Sequence, residues 1–468
     1  MKKQTFALFF GNRGFFPGEL IAGARNEVKA AVESLGYETL LMKEELTRYG
    51  AVETVEEGRK YARFLEKHKG EYSGVILSLP NFGDETGAVA ALEDCGVPIL
   101  IQAYPDEIGK MDFNNRRDAY CGKFSVMDVF YQYKLPFTIY TPHTVHPSGK
   151  EFHEQVQEFA AVCRVVKGMK RFTVGAIGAR TTAFKTVRFD ELALQRYGIT
   201  TETYDLSELI RRVKNFDTGT AKFKEKKTFL SEYTSWDGVP GEKLDMLSKT
   251  ACVLDDFVEE YQLDALAVRC WIEIELELGI APCVILSALN NRGVAAACEL
   301  DVGNAVSMRA LGLASGQPAT VLDWNNNYKD DPEKCILFHC GPVPQQLMAG
   351  KGQIIEHPMF AKSFGAGCGW GCNVGRIAPN EITFCSAKTE DGKLVFYTGE
   401  GQITDDPIEK EFFGCAGVAK IPQLQNKLLR IGKAGFRHHV SLTTGLYERA
   451  LQEAFETYLG YDIISLER

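Results

Sequence analysis

The chain has 468 residues, 45% of them apolar and 25% charged, with a formal charge of −9. That length exceeds what one hydrophobic core serves, and the composition excludes disordered, collagen-like and low-complexity classes. The acidic balance argues against a nucleic-acid or anionic-membrane partner, since both need clustered Lys and Arg.

Residues 5–10 read as a buried strand, followed by a glycine-rich loop over 11–18. Apolar residues at Leu20, Ala24, Val28, Ala31 and Val32 have helical spacing and predict a helix over 19–35, stopped at Gly36. The apolar run at 6–10 is too short for a secretory signal, and no stretch approaches the ~18 apolar residues of a membrane span, which predicts a cytoplasmic protein. Further strands are expected at 74–79, 97–102 and 137–140, and a connecting helix at 151–170. The pattern then restarts with a strand at 172–177, a helix at 184–196, a long helix at 241–262 and a strand at 265–268. A short run at 294–298 leads into a helix over 301–311, and strands are expected at 319–322 and 335–338.

From about Gly341 glycine and proline become frequent. Short β-like runs follow at 375–384 and 393–398, with a final helix at 447–459. The expected fold class is α/β. Two Rossmann-like parallel-sheet domains, 1–168 and 169–341, precede a β-rich C-terminal domain, 342–468. The thirteen cysteines are odd in number and several sit in apolar surroundings, which predicts buried reduced thiols; Cys368, Cys372 and Cys385 lack the paired spacing of a strong zinc signature.

Open parallel sheets gather ligands at the carboxyl ends of their strands. The loops at 11–14, 80–85 and 178–180 fit that place, but none has the GxGxxG pattern, so no dinucleotide is expected. Glu299 is harder to assign to a turn. It lies beside Ala295, Ala296, Ala297 and Cys298, where an unpaired carboxylate is costly to bury. Asp301 reads as a helix N-cap. Asp323 ends the apolar run at 319–322 and His339 ends the run at 335–338, so three successive strands each deliver a metal-competent side chain at the same end. Two carboxylates and an imidazole suit a Mn²⁺- or Mg²⁺-type ion with open positions. The pair His438-His439 offers a further ligand, and adjacent residues on a strand point to opposite faces, so one of the two would face the cluster.

These residues resemble the L-fucose isomerase and L-arabinose isomerase family. The likeness is carried by RDAYCGKFS at 117–125, ACELD at 297–301, LDW at 322–324, FHCG at 338–341 and HHV at 438–440. The resemblance implies a Mn²⁺-dependent aldose–ketose isomerase (or one using another divalent ion such as Mg²⁺ or Co²⁺) that works on an open-chain sugar through a cis-enediol. It makes Glu299 and Asp323 the metal-binding acid/base pair, His439 the C-terminal metal ligand and His339 an additional one. It also implies a homo-oligomer, a hexamer or trimer, with sites completed by neighbouring subunits. Asp323 stands where arabinose isomerases have Glu, which leans toward the fucose-type branch. Arg13, Lys123, Trp324 and His438 are then candidate substrate contacts, although loop cations are commonly solvated or ion-paired and tryptophans commonly core. Other readings are an isomerase for a 6-deoxy or 6-sulfo hexose such as sulfoquinovose, a non-catalytic sugar-binding protein, and a metal-dependent aldolase or hydrolase.

Overall fold

Short apolar runs separated by helices build two four-stranded parallel sheets. The computed structural model describes residues 3–467. The first sheet has the order β2-β1-β3-β4, with β1 Thr5–Phe10, β2 Glu38–Leu41, β3 Gly74–Leu79 and β4 Ile99–Ala103. All its pairings are parallel. β3 and β4 are buried along their whole length, as strands covered on both faces must be. This sheet lies in a compact unit formed by the chain up to Lys167 together with Glu453–Gly460.

The second unit holds Gly168–Gln452 and the residues from Tyr461 on. Its parallel sheet has the order β6-β5-β7-β8, with β5 Phe172–Ile177, β6 Ile199–Tyr204, β7 Ala265–Val268 and β8 Ala295–Ala297. A nine-stranded mixed sheet follows, in the order β11-β12-β15-β10-β9-β16-β13-β14-β17. Its strands are β9 Ala319–Asn327, β10 Lys334–His339, β11 Gln353–Glu356, β12 Trp370–Arg376, β13 Asn380–Glu390, β14 Lys393–Thr404, β15 Cys415–Lys420, β16 His439–Thr444 and β17 Asp462–Ile463. The α/β class with two parallel sheets and a later β-rich region is as expected.

Several expectations need correction. Residues 137–140 form no strand; Thr138 makes only an isolated bridge to Leu100. The run 375–384 straddles the end of β12 and the start of β13. The helix expected over 184–196 breaks into a single 3-10 turn, Lys185–Val187, and a short helix, Glu191–Arg196, capped by the Asp190 side chain. β9 does not stop at Leu322 but continues five residues further to Asn327, so Asp323 lies inside a strand. β9 and β10 are antiparallel neighbours in the mixed sheet, while β8 belongs to the parallel one. The side chains at 299, 323 and 339 therefore do not arrive from the same end of three parallel strands. All thirteen cysteines are free thiols. Among the described residues no helix is long and apolar enough to cross a membrane.

Candidate active site

Cross-strand register brings the cluster together. His439, the first residue of β16, lies directly opposite Asp323 of β9, and β10 pairs on the other side of β9 through Phe338 opposite Asp323. His339 closes β10. One ligand atom each from Asp323, His339 and His439 falls within a 4.8 Å group, and so does one each from Glu299, His438 and His439. Sheet pairing thus supplies three of the members from positions distant in sequence.

Glu299 comes from the parallel sheet, just after β8. Glu299 and Leu300 both have φ of 60°, left-handed backbone that costs ordinary residues about 1–2 kcal/mol each. The turn is held by the N–H of Leu300 donating to Val268 O at 3.1 Å and that of Asp301 to Cys298 O at 3.1 Å. It carries the Glu299 carboxylate to 2.9 Å from His439 Nε2, while Trp271 Nε1–H donates to Glu299 Oε1 at 2.9 Å. Asp323 Oδ1 stands 3.4 Å from the same His439 nitrogen.

The Asp301 side chain accepts from Asn304 N at 3.0 Å and caps the helix Val302–Ser315, as its sequence position suggests. It has a second task that the sequence did not disclose. Its Oδ2 accepts from His439 Nδ1 at 2.8 Å, and its Oδ1 is ion-paired with Arg437. A carboxylate only accepts, so the proton of the neutral His439 ring is assigned to Nδ1 and Nε2 faces the cluster. His339 is arranged the other way. The backbone N–H of Cys340 donates to its Nδ1 at 2.9 Å.

Burial would raise the Asp301 carboxyl, but Arg437 and His439 outweigh it and hold it well below the usual range. Burial would depress His439, yet the Asp301 and Glu299 carboxylates beside it push it up to about 10. Burial also works to raise Glu299, and the neighbouring His439 overrides it, leaving the carboxyl below its ordinary value. For Asp323 burial prevails against His339 and His439, so that carboxyl is raised. Two adjacent acids are pushed apart.

Four buried atoms in this cluster have no hydrogen-bond partner: Glu299 Oε2, Asp323 Oδ1, His339 Nε2 and His439 Nε2. Native interiors rarely leave such groups unpaired, so several converging on one point mark a place built for a cation. The donor set of carboxylate oxygens and imidazole nitrogens fits a divalent ion of intermediate hardness. A third group, Cys298, His339 and Cys340, is softer in character. The cluster opens on a cleft of about 120 Å³ walled in part by Trp271, Glu275, Phe338, His357, Phe360 and Phe413. A wider, shallower groove beside Gly178 and Arg269 holds Lys214 paired with Glu277, Arg269 paired with Glu273, and Arg211.

The other sequence candidates divide. His438 precedes β16, so strand alternation does not separate it from His439. It approaches Asp323 Oδ1 at 3.8 Å and is half exposed. Trp324 packs instead into the core of the mixed sheet, its Nε1–H donating to Tyr397 at 3.2 Å and its ring edge-on to Phe384. Arg13 and Lys123 lie in the first unit. Arg13 is ion-paired with Glu85, donates from Nε to Gly83 O and stacks on Phe82. Lys123 is buried and donates to His143 O at 2.8 Å. Trp271, a candidate for stacking on a sugar ring or for core packing by sequence, instead holds Glu299 through its indole N–H, and nothing in the sequence singled out Glu275.

Residues 7–170 match the fucose/sulfoquinovose isomerase N-terminal domain, and residues 337–467 match the L-fucose isomerase C-terminal domain. A protein of Priestia aryabhattai named sulfoquinovose isomerase is 22% identical over 391 residues, covering 82% of this chain and 83% of its own. Proteins with the same name from Clostridium sp. (strain MSTE9) and Alkalicoccus urumqiensis are 25% and 22% identical, over 64% and 83% of this chain and 66% and 85% of their own.

Proposed function

The chain belongs to the fucose isomerase family of sugar aldose–ketose isomerases, and from that premise we propose that the cluster at Glu299, Asp323 and His439 is its catalytic metal centre. The observation that carries this reading is the convergence of unpartnered buried carboxylate and imidazole atoms. Glu299, Asp323 and His439 would hold the ion, with His339 as an additional, weaker ligand. Mn²⁺ is the metal we assign, with Mg²⁺ or Co²⁺ as substitutes. When bound, it supplies a Lewis acid that polarises the sugar carbonyl and steadies negative charge on the two oxygens.

The rest falls to the chain's own groups. Isomerisation moves one proton between C2 and C1 through a cis-enediol, and a C–H beside a carbonyl is a very weak acid. A carboxylate must accept that proton and a carboxylic acid must protonate oxygen, which calls for two acids with separated proton affinities. Glu299 and Asp323 are the pair to which this reading gives these tasks. Trp271 fixes the Glu299 carboxylate through its indole N–H, and Asp301 with Arg437 fixes the His439 ring. The aromatic cleft walls limit water around the reacting carbons. Arg13, Lys123 and His438 are proposed contacts to the sugar, and a hexameric or trimeric cytoplasmic enzyme goes with this reading.

Replacement of Glu299 by Gln tests it. The variant should keep its fold and lose at least about 1,000-fold in kcat on any aldose the wild type converts, as expected for a missing proton acceptor. Near-normal turnover with bound metal would remove Glu299 from the chemistry. The names of the relatives favour a second reading, in which the substrate is a 6-sulfonated hexose. A panel of neutral and sulfonated aldoses with Mn²⁺, read by appearance of the ketose, separates the two.

A further inference from the structure

Glu275 lies on the short helix Glu273–Leu278 and is 1% exposed. Its carboxyl lines the same cleft as Glu299, Asp323 and His339, and neither of its oxygens has a hydrogen-bond partner. A buried carboxyl left unpaired costs about 1–3 kcal/mol or more, so folding alone gives no reason to keep it. The Arg269 guanidinium does not neutralise it, being paired with Glu273 at 2.5 Å. The walls around it include Phe338, Phe360 and Phe413, which have no hydrogen bonds to give. Burial pushes its pKa up to about 8, so near neutral pH the group holds a proton and can both donate and accept.

We propose that Glu275 is a substrate-binding residue whose carboxylic acid exchanges a pair of hydrogen bonds with one hydroxyl of the open-chain sugar, away from the two reacting carbons. The proposal rests on the isomerase reading above and adds a group that selects an uncharged, hydroxylated part of the substrate. A sulfonate at that point would meet aromatic walls and a single donor, with the Arg269 cation already paired to Glu273. The contact holds a part of the sugar that does not change during the reaction, so it binds ground state and transition state alike and its loss is read in KM.

The test uses the metal-loaded wild type and two variants, Glu275→Gln and Glu275→Met, with metal content measured in each. Gln retains a donor and an acceptor, and Met fills the space with an apolar chain that should fold at least as well, because no protein bond is lost. With the aldose that the wild type converts, Glu275→Met should raise KM at least tenfold with kcat within about threefold, and Glu275→Gln should restore most of the loss. A series of singly deoxygenated sugars then locates the contact. One deoxy sugar should be a poorer substrate for the wild type by tenfold or more, yet no poorer than its parent for Glu275→Met, since the partner is already gone. Penalties that simply multiply for every deoxy sugar would overturn the assignment of Glu275 while leaving the isomerase intact. Equal loss of metal from both variants would overturn it as well, by making the residue structural. If the wild type converts no aldose, the isomerase reading itself falls and this proposal with it.

Discussion

At the scale of single residues, the two histidines of the cluster differ in which nitrogen holds the proton. Asp301 takes the Nδ1–H of His439, so the Nε2 lone pair becomes available once the ring is neutral. The Cys340 N–H donates to Nδ1 of His339 at 2.9 Å, with Cys340 Sγ 3.2 Å from the same nitrogen, and the backbone donor assigns the neutral ring's proton to Nε2, which has no protein partner. A metal must displace that proton and lose a compatible hydrogen bond to use His339. His439→Asn should therefore weaken Mn²⁺ binding by at least about 100-fold, whereas His339→Asn should cost less than about tenfold. Calorimetric titration of metal-free protein checks the ratio, and equal losses would refute the tautomer assignment. The sequence disclosed Glu299 and Asp323 because each is an acid touching an apolar run, a costly arrangement without a partner. It concealed Asp301 because an N-cap already accounts for an Asp before a helix. Glu275 was concealed for the opposite reason: in Trp271-Ile-Glu-Ile-Glu275 alternate acids look like a solvated face, and only the fold shows that one of them is buried.

At the scale of elements, the strands that were legible are the ones buried on both faces. β1, β3, β5 and β7 are short apolar runs whose bounds are plain in the residues themselves. β6 carries only one fully buried residue, its first, so Thr-Thr-Glu-Thr-Tyr gives no apolar signal. β9 was cut short because its last residues, Asn325 to Asn327, are exposed and polar and read as a turn. Register depends on pairings across the chain that periodicity does not encode, so the meeting of 323 and 439 was beyond spacing arguments. The helix Val302–Ser315 shows how closely the elements around the site approach. A Cβ on Gly303 would stand 2.5 Å from Ala387 O of β13 and would also strike the Arg437 guanidinium. Gly303→Ala should push this helix off the sheet and cost roughly 1–3 kcal/mol of stability. Because Arg437 and the Asp301 cap move together, it should also weaken Mn²⁺ binding, although Gly303 touches no metal ligand atom. Denaturant unfolding and metal titration of the same variant check both effects.

At the scale of the whole molecule, the two compact units have separate levers on stability. A ligand that binds only the native state stabilises it by mass action, about 2.7 kcal/mol at a hundredfold excess over Kd. The proposed ligands all belong to the second unit, so Mn²⁺ should raise the unfolding transition of that unit in a concentration-dependent way and EDTA should reverse it. The first unit has its own lever in Lys123. This amine is buried with one carbonyl partner, and burial brings its pKa down to about 8 from 10.5. Below pH 8 the amine is protonated in both folded and unfolded chains, and the fold bears the full cost of the buried charge, about 3 kcal/mol. Between pH 8 and 10.5 the folded form sheds its proton while the unfolded form keeps it, and the cost shrinks; above that range it vanishes. Lys123→Met should therefore stabilise the first unit by roughly 2 kcal/mol at pH 7, after the loss of one hydrogen bond, with the gain falling as pH rises toward 10. Differential scanning calorimetry at pH 7 and pH 10, with and without Mn²⁺, reads both levers at once. Movement of the Lys123→Met gain in the opposite direction with pH would show that the fold stabilises the charged amine and raises its pKa.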